Sequence, residues 1–359
     1  MFLAHKIEIR PTKIQEQHFF QSVGIKRFIW NKCLSEWNRA YELGLKPDKD
    51  YILFYLKCLK EKYFWIKNVS SRVSRNVVDD LIIAFERFFK KKSKHPTFKK
   101  RGVKDSFSIR EKEKFSVNGR KLKIEKLKTL IKMREIVRFK GINKHVTISY
   151  RAKKWFASIL VEMKYNPFLS KIPSNDNQVG VDLGIKEMAV LSNETIFPSN
   201  QPLKKKLKKL AKLQKSFAKK QKGSNRWKKF KVKIQKLHYK IACQRKAIIH
   251  QLTDHLTRNF KHIVIEDLNI SGMVKNHKLA RAISDVGMYE IKNQLGYKSK
   301  LRNCTLTIAN RFFPSSKLCS KCGIKKTDLT LKDRIFNCVC GFSIDRDLNA
   351  AINLKNYKN

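Results

Sequence analysis

Short apolar segments that end in an acidic residue constrain the fold of this chain more than any other feature. Asp182 lies in VGVDLG, and Glu266 ends the apolar run of HIVIED. Alternation with a period of two puts Val179 and Val181 on one face of a strand and Asp182 on the other. Helical patterns separate the two strands, and strands that alternate with helices indicate an α/β core. Ligand sites of such sheets lie near the strand ends.

A third acid, Asp347 in IDRDLNAA, begins a predicted helix. Singly, each of the three acids is more often a cap, a turn residue or an ion-pair partner, because short motifs match by chance. Together, carboxylates repel and become protonated unless cations compensate, and Mg²⁺ and Mn²⁺ suit oxygen ligands. Two such ions support phosphodiester hydrolysis. We therefore predict a hydrolytic metal site of Asp182, Glu266 and Asp347, with Asp345 as a helix cap and Asp267 as either a surface group or a group that supports the metal ligands.

The charge of the chain predicts a polyanionic partner. Lys and Arg number 81 against 29 Asp and Glu, which gives a formal net charge of +52 at pH 7. Self-repulsion of this size costs folding free energy unless a polyanion is bound, and nucleic-acid phosphates are such a polyanion. A ribosomal or chromatin protein would share the charge but would seldom reach 359 residues. Lysines that serve solubility alone are the other alternative.

Two segments concentrate the positive charge. One is HPTFKKRG, and the other is a predicted helical hairpin over 203–258, within a stretch that has no acidic residue between Glu194 and Asp254. Apolar stripes leave the other faces of the hairpin almost wholly positive. A solvated hairpin without a partner is the alternative to a nucleic-acid surface. The predicted nucleic-acid-binding residues are Lys99, Lys100, Arg101, Lys219, Lys220, Arg226, Lys228 and Lys229.

Four of the eight cysteines are arranged as in a metal site. Cys319-Ser-Lys-Cys322 and Cys338-Val-Cys340 are each followed by glycine. The pairing resembles a zinc ribbon, although the second turn is one residue shorter than usual. Four buried thiols are the alternative. Four thiolates leave no open position, so the predicted Zn²⁺ is structural. The remaining cysteines, Cys33, Cys58, Cys243 and Cys304, are predicted to be core residues.

We expect no export signal, because His5 and Lys6 interrupt the apolar start. Its apolar runs fall short of the roughly 18–20 residues that cross a membrane. We therefore expect a cytosolic protein without a membrane partner. In a reducing compartment, cysteines are expected to bind metal or to remain free thiols.

Composition and pattern predict a multidomain α+β protein. HKIEIR is predicted to be a strand, residues 13 to about 92 helical, about 105–165 short strands, and about 281–302 a helix. Residues 166–178, with Pro167, Pro173, Ser174 and Asn175, resemble a linker. The expected domains are a β module over 1–12 and 100–168, a helical insert over 13–99, an α/β domain over 178–359, and a cysteine ribbon over 312–343 inserted in it.

Taken in order, these motifs resemble the TnpB (OrfB) family of bacterial insertion sequences, relatives of type V CRISPR effectors. The resemblance rests on VGVDLGIKEMAV, HIVIEDLNISGM, SSKLCSKCG and CGFSIDRDLNAAINL, with HKIEIRPTKIQ and HPTFKKRG nearer the start, and spans essentially the whole chain. It implies a RuvC-like (ribonuclease-H-like) nuclease domain with an inserted zinc ribbon. It also implies a small β-barrel-like N-terminal module that carries a helical recognition insert.

The resemblance further implies an RNA-guided DNA endonuclease. Basic surfaces would hold a guide RNA, the N-terminal half would read a short motif beside the double-stranded target DNA, and one nuclease site would cut both strands. The catalytic acids fall on Asp182, Glu266 and Asp347 with Mg²⁺ or Mn²⁺, and the zinc ligands on Cys319, Cys322, Cys338 and Cys340. A nuclease-inactive RNA-guided DNA-binding repressor and a transposase that catalyses strand transfer are the alternatives. Three intact acids favour a nuclease over the repressor but do not separate hydrolysis from strand transfer.

Overall fold

The computed structural model describes residues 1–169, 177–330 and 333–358. The chain divides into two compact units, Met1–Tyr165 and Asn166–Asn359, which are described separately below. Pro173, Ser174 and Asn175 of the predicted linker lie outside the described residues. None of the helices in the described ranges combines the length and apolar character needed to cross a bilayer.

The first unit contains one antiparallel sheet and three α-helices in its described residues. The strands are β1 (Phe2–Arg10), β2 (Ser106–Ile109), β3 (Phe115–Asn118), β4 (Lys121–Ile124), β5 (Ile131–Met133), β6 (Ile142–Arg151) and β7 (Lys154–Glu162). The helices are α1 (Lys13–Glu42), α2 (Lys49–Lys62) and α3 (Ser71–Phe89). The strand order is β2-β6-β7-β1-β5-β4-β3, and β3 also approaches β6, so the sheet nearly closes on itself.

Helix α1 begins where the sequence predicts. The Thr12 hydroxyl accepts from the backbone N–H of Gln15, and the Gln15 side chain accepts from the backbone N–H of Thr12. These reciprocal bonds satisfy N–H groups that the first turn leaves without partners. The helix then packs on the sheet, where Phe19 and Trp155 lie with ring centroids 5.0 Å apart.

The second unit contains a mixed sheet covered by helices. Its strands are β8 (Gln178–Asp182), β9 (Glu187–Leu191), β10 (Ile196–Pro198), β11 (His262–Glu266), β12 (Thr305–Ala309), β13 (Ile335–Asn337) and β14 (Ser343–Asp345). Its helices are α4 (Leu207–Ala218), α5 (Asn225–Asn259), α6 (Ile270–Met273), α7 (His277–Val286), α8 (Met288–Arg302) and α9 (Arg346–Lys355). The main sheet has the order β10-β9-β8-β11-β12, and β13 pairs with β14 as a separate hairpin. Strands β8, β11 and β12 are parallel, which confirms the α/β pattern.

The predicted single helix over about 281–302 is wrong. Gly287 separates α7 from α8 with a left-handed φ of 80°, a conformation that glycine adopts at little cost. An added Cβ there would lie 2.9 Å from Cδ1 of Ile249. Apolar periodicity continues on both sides of the break, so the pattern alone does not reveal it.

The core prediction for cysteines is wrong at two positions. Cys33 is buried and Cys304 is half-buried, but Cys58 and Cys243 are exposed. Cys58 directly precedes Leu59, a buried residue of α2, and neighbouring helix residues point about 100° apart. A cysteine within a helical pattern can therefore face solvent.

Candidate metal centres and nucleic-acid surfaces

Parallel pairing brings Asp182 and Glu266 to one edge of the main sheet. Val181 of β8 lies opposite Ile265 of β11, and each acid is the next residue of its strand. Neighbouring strands are about 4.8 Å apart, and residues at equal positions of a parallel pair share a face. The two carboxylates therefore lie side by side at the carboxyl ends of β8 and β11.

Helix α9 adds Asp347 to the same edge. An added Cβ on Gly180 would lie 2.0 Å from the carbonyl oxygen of Ala351, and the side chain of Gln178 donates to the carbonyl oxygen of Lys355. Two strand residues and four helix residues both span about 6 Å. Asp182 lies two residues after Gly180 on β8, and Asp347 lies four residues before Ala351 on α9. Asp182 and Asp347 therefore lie at the same level along β8.

Gly180 has a different role from the one its sequence position indicates. Glycine beside the acid predicts open space in which a phosphodiester could approach the sheet. In the structure, helix α9 fills this space with its backbone at Ala351 and Lys355. Gly180 therefore permits the close packing that places Asp347, and any side chain here would displace the helix.

The electrostatic environment of the three acids disfavours the ionised form of Asp182. Burial, and then the negative charges of Glu266 and Asp347, raise the pKa of Asp182 to about 8. The guanidinium of Arg346 acts in the opposite direction but does not offset them. A protein with this excess of lysine and arginine has thus gathered carboxylates at one place, where a bound cation would favour the ionised forms.

The two neighbouring acids have other partners. Asp345 caps α9, because its side chain accepts from the backbone N–H groups of Asp347 at 2.9 Å and Leu348 at 3.1 Å. Asp267 pairs with Lys292 at 2.8 Å and with Arg311 at 2.6 Å. These contacts confirm Asp345 as a cap and assign Asp267 to ion pairs beside the acids.

The sequence patterns miss three polar residues next to the acids. The hydroxyl of Ser315 donates to Oε1 of Glu266, and Asn349 and Asn353 of α9 bond to the segment 315–320. All three side chains are buried. The available signal was a pair of asparagines four residues apart on the helix face that packs inward, where polar residues need partners.

The four predicted cysteine ligands converge at one point. Their sulfurs all lie within 4.8 Å of one another, with 3.8 Å between Cys319 and Cys340 and 3.5 Å between Cys322 and Cys338. Tetrahedral Zn²⁺ with bonds of about 2.3 Å requires sulfurs about 3.8 Å apart, so the thiols fit this ion. The shorter Cys338–Cys340 turn does not prevent convergence. Residues 331 and 332 of the predicted ribbon lie outside the described residues.

Among the described residues, no three carboxylates have oxygens as close together as the sulfurs of the four cysteines, which lie within 4.8 Å of one another. Asp182, Glu266 and Asp347 are therefore gathered at one edge of the sheet but more widely spread than the cysteine ligands. Each of the three is half-buried.

The predicted hairpin lysines lie around one turn. Helices α4 and α5 pack through Leu210, Leu237 and Ile241, and the chain reverses between Ala218 and Asn225. The residues predicted to bind nucleic acid therefore come from both sides of the turn: Lys219, Lys220, Arg226, Lys228 and Lys229. All are exposed except Lys220, which is half-buried and lies 5.7 Å from the ring centroid of Phe230.

Lys99, Lys100 and Arg101 lie in the first unit, on an irregular segment tied to helix α1. The side chain of Asn31 accepts from the Lys99 N–H at 2.8 Å and donates to the Lys99 carbonyl at 3.1 Å. Nζ of Lys99 lies 3.2 Å from the ring centroid of Trp30. Lys99 and Lys100 line a cavity of about 530 Å³ together with Lys26, Arg27 and Trp30. Positive charge here surrounds a concave, partly aromatic surface.

Three family models match the chain. Residues 158–277 match a family described as "Probable transposase", residues 289–354 match "Cas12f1-like, TNB domain", and residues 1–46 match "Helix-turn-helix domain". The first match contains two of the three acids, and the second contains Asp347 and the four converging cysteines.

Curated relatives match nearly end to end. "Putative RNA-guided DNA endonuclease InsQ" of Escherichia coli (strain K12) is 31% identical over 98% of this chain and 91% of its own length. "Putative RNA-guided DNA endonuclease" of Streptomyces pristinaespiralis is 31% identical over 98% of this chain and 88% of its own length. A Cas12f1 chain, solved by cryo-electron microscopy with sgRNA and target DNA, shares the fold with a TM-score of 0.58 at 15% identity, over 96% of this chain and 83% of that one. The chain therefore belongs to the TnpB (OrfB) family of transposon-encoded proteins, together with these two relatives.

Proposed function

We propose that this protein is an RNA-guided DNA endonuclease that hydrolyses phosphodiester bonds with divalent cations. The observation that supports this most is the meeting of Asp182, Glu266 and Asp347 at one edge of the main sheet. The relatives that match over nearly the whole chain are named as such endonucleases. We assign residues 178–359 to a RuvC-like nuclease domain on this basis.

The three acids form the reaction site in this proposal. Their carboxylates supply only oxygen ligands, which is the donor set that Mg²⁺ and Mn²⁺ prefer. When bound, such cations activate a water and stabilise the leaving oxygen of the phosphodiester. The ionised form of Asp182 depends on a bound cation, since burial and two acidic neighbours raise its pKa.

The basic surfaces would hold the guide RNA and the double-stranded target DNA. Phosphate contacts by lysine and arginine provide affinity that does not depend on sequence. We assign this role to the hairpin turn and to the segment around Lys99. The N-terminal β module over 1–12 and 100–168 and the helical insert over 13–99 would make up the first unit, apart from residues 166–168, which fall in the second unit.

The cysteine site would bind one structural Zn²⁺. Four thiolates complete a tetrahedral set, so the residues leave no position for a reacting water. The cluster also has its own small core of Leu329, Phe336 and Cys319. We infer that the ribbon supports the nuclease domain and takes no part in bond cleavage.

A plasmid-cleavage assay tests the proposal. The chain, expressed with the RNA from its flanking transposon end, is expected to cut target DNA with Mg²⁺, and Asp182→Ala is expected to lower the rate by at least about a hundredfold, as loss of one essential group does. Asp328→Ala is a matched control, because Asp328 is an acid with a side chain that is 78% exposed. Equal cleavage by Asp182→Ala, or cleavage without RNA, would contradict the proposal.

The same assay separates the alternatives. RNA-dependent binding to target DNA without any cut would identify a repressor. Joining of cut ends to a second DNA molecule would identify strand transfer. Linear plasmid with free ends is the product expected of hydrolysis.

A further inference from the structure

A buried serine connects the cysteine ribbon to one of the three acids. Ser315 is 3% exposed, and its hydroxyl donates to Oε1 of Glu266. Four residues later the same segment reaches Cys319, whose sulfur belongs to the converging thiols. One short stretch of chain therefore contacts the acid site at one end and the cysteine site at the other.

Two asparagines of α9 hold this segment in place. Nδ2 of Asn353 donates to the carbonyl oxygens of Ser315 at 2.8 Å and Leu318 at 2.7 Å. Nδ2 of Asn349 donates to the carbonyl oxygen of Leu318 at 2.6 Å, and its Oδ1 accepts from the Ser320 N–H at 3.0 Å. The asparagine side chains thus satisfy backbone groups that no helix or strand would otherwise pair.

These bonds connect acids that lie on different elements. Asn353 is six residues after Asp347 on α9, and it contacts the backbone of Ser315, which contacts Glu266. Asn349 and Asn353 are 0% and 7% exposed. Buried amides without partners cost free energy, so shifting the segment relative to α9 would break several bonds at once. The arrangement favours one orientation of the Glu266 carboxylate relative to α9.

We infer that Ser315 is a positioning residue for Glu266 and that Asn349 and Asn353 fix Ser315 relative to the helix that carries Asp347. The inference rests on the proposed nuclease function. Hydrogen-bond partners that orient a ligand carboxylate change activity or metal affinity without contacting the substrate. A serine that only stabilised the fold would alter stability and leave these properties unchanged.

Single-turnover cleavage of target DNA by the RNA-bound full chain tests the inference. Ser315→Ala is expected to lower the rate constant by about 10–100-fold, with unchanged affinity for target DNA and one zinc per chain retained. Ser315→Thr keeps a hydroxyl and is expected to recover most of the rate. Ser316→Ala is the matched control, because it removes a hydroxyl from the next residue, and it should cleave as the unaltered chain does.

Cleavage by Ser315→Ala at the unaltered rate would overturn the inference. So would a loss of rate that Ser315→Thr does not recover while zinc content and DNA affinity are preserved. If the unaltered chain with RNA and Mg²⁺ leaves DNA intact, the proposed function fails and the cleavage assay no longer tests the role of Ser315. The affinity for Mn²⁺, measured by electron paramagnetic resonance on the unaltered chain and on Ser315→Ala, then tests separately whether Ser315 positions Glu266. A weakening of about 10–100-fold in Ser315→Ala supports the inference, and equal affinity rejects it.

Discussion

Lys99 lies where its own charge is disfavoured. Burial, and then the nearby ammonium of Lys26, lower its pKa to about 7, and Asp80 only partly opposes this. A phosphate beside Lys99 would favour the charged form. At the residue scale, nucleic-acid binding near Trp30 should therefore be coupled to the uptake of a proton.

This coupling predicts a pH dependence of RNA binding. Above pH 7 the free Lys99 is mostly neutral, so binding must add a proton, and affinity should fall as pH rises from 7.5 to 9, approaching about one log unit per pH unit by linkage. Lys99→Arg stays charged throughout, and its affinity should depend less on pH. Fluorescence anisotropy with labelled guide RNA measures the affinity of the unaltered chain and of Lys99→Arg at each pH. Lys229→Arg is the control at an exposed position, and equal slopes for the unaltered chain and Lys99→Arg would contradict the prediction.

Residue patterns predicted which acids to consider but not how they are held. Asp182 and Glu266 could be chosen because each ends an apolar strand, a signal within a few neighbouring residues. The bond from Ser315 to Glu266 joins residues 49 positions apart, and local periodicity carries no information on such a pair. The role of Gly180 was also hidden, since the helix that fills its space begins more than 160 residues later.

At the element scale, the basic hairpin follows from apolar stripes at helical spacing. Its inward face packs through Leu210 and Ile241, which leaves the lysines to solvent or to a polyanion. The break at Gly287 was missed because a left-handed φ leaves periodicity on each side intact. Packing faces were therefore predictable, whereas interruptions of a helix were less so.

The hairpin turn is expected to contribute to the salt dependence of nucleic-acid binding. Each lost phosphate contact reduces the slope of log K against log salt by about 0.7–0.9. A variant that tests this contribution replaces five basic residues of the turn by glutamine: Lys219, Lys220, Arg226, Lys228 and Lys229. Its affinity should fall, and the slope measured by filter binding between 50 and 200 mM salt, about the range over which such contacts act, should flatten. The same positions with every lysine changed to arginine preserve charge and should keep the slope. A glutamine variant with the original slope would show that the turn makes no backbone contacts.

At the scale of the molecule, the candidate site depends on strand order. Strands β8 and β11 are neighbours in the sheet although α4 and α5 lie between them along the chain. Sequence could predict both strands and a sheet of α/β type. Their adjacency depends on core packing among Val181, Ile265 and residues of α5 and α8, which no single segment encodes. The chemistry of the three acids and the family resemblance could group them as one site before the structure was known, but neither could show which strands and helix bring them together.

The cysteine ribbon is expected to depend on metal for its fold. Its core is small, with Leu329 and Phe336 beside Cys319, and structural Zn²⁺ contributes on the order of 10–16 kcal/mol to comparable small sites. Cys322→Ser should therefore release about one equivalent of zinc, measured by plasma mass spectrometry, and increase amide exchange across residues 315–345. Cys58→Ser removes an exposed thiol outside the cluster and should change neither. Because Ser315 lies at one end of this segment, loosening of the ribbon should also reach Glu266. Retention of one zinc in Cys322→Ser would contradict the four-thiolate assignment.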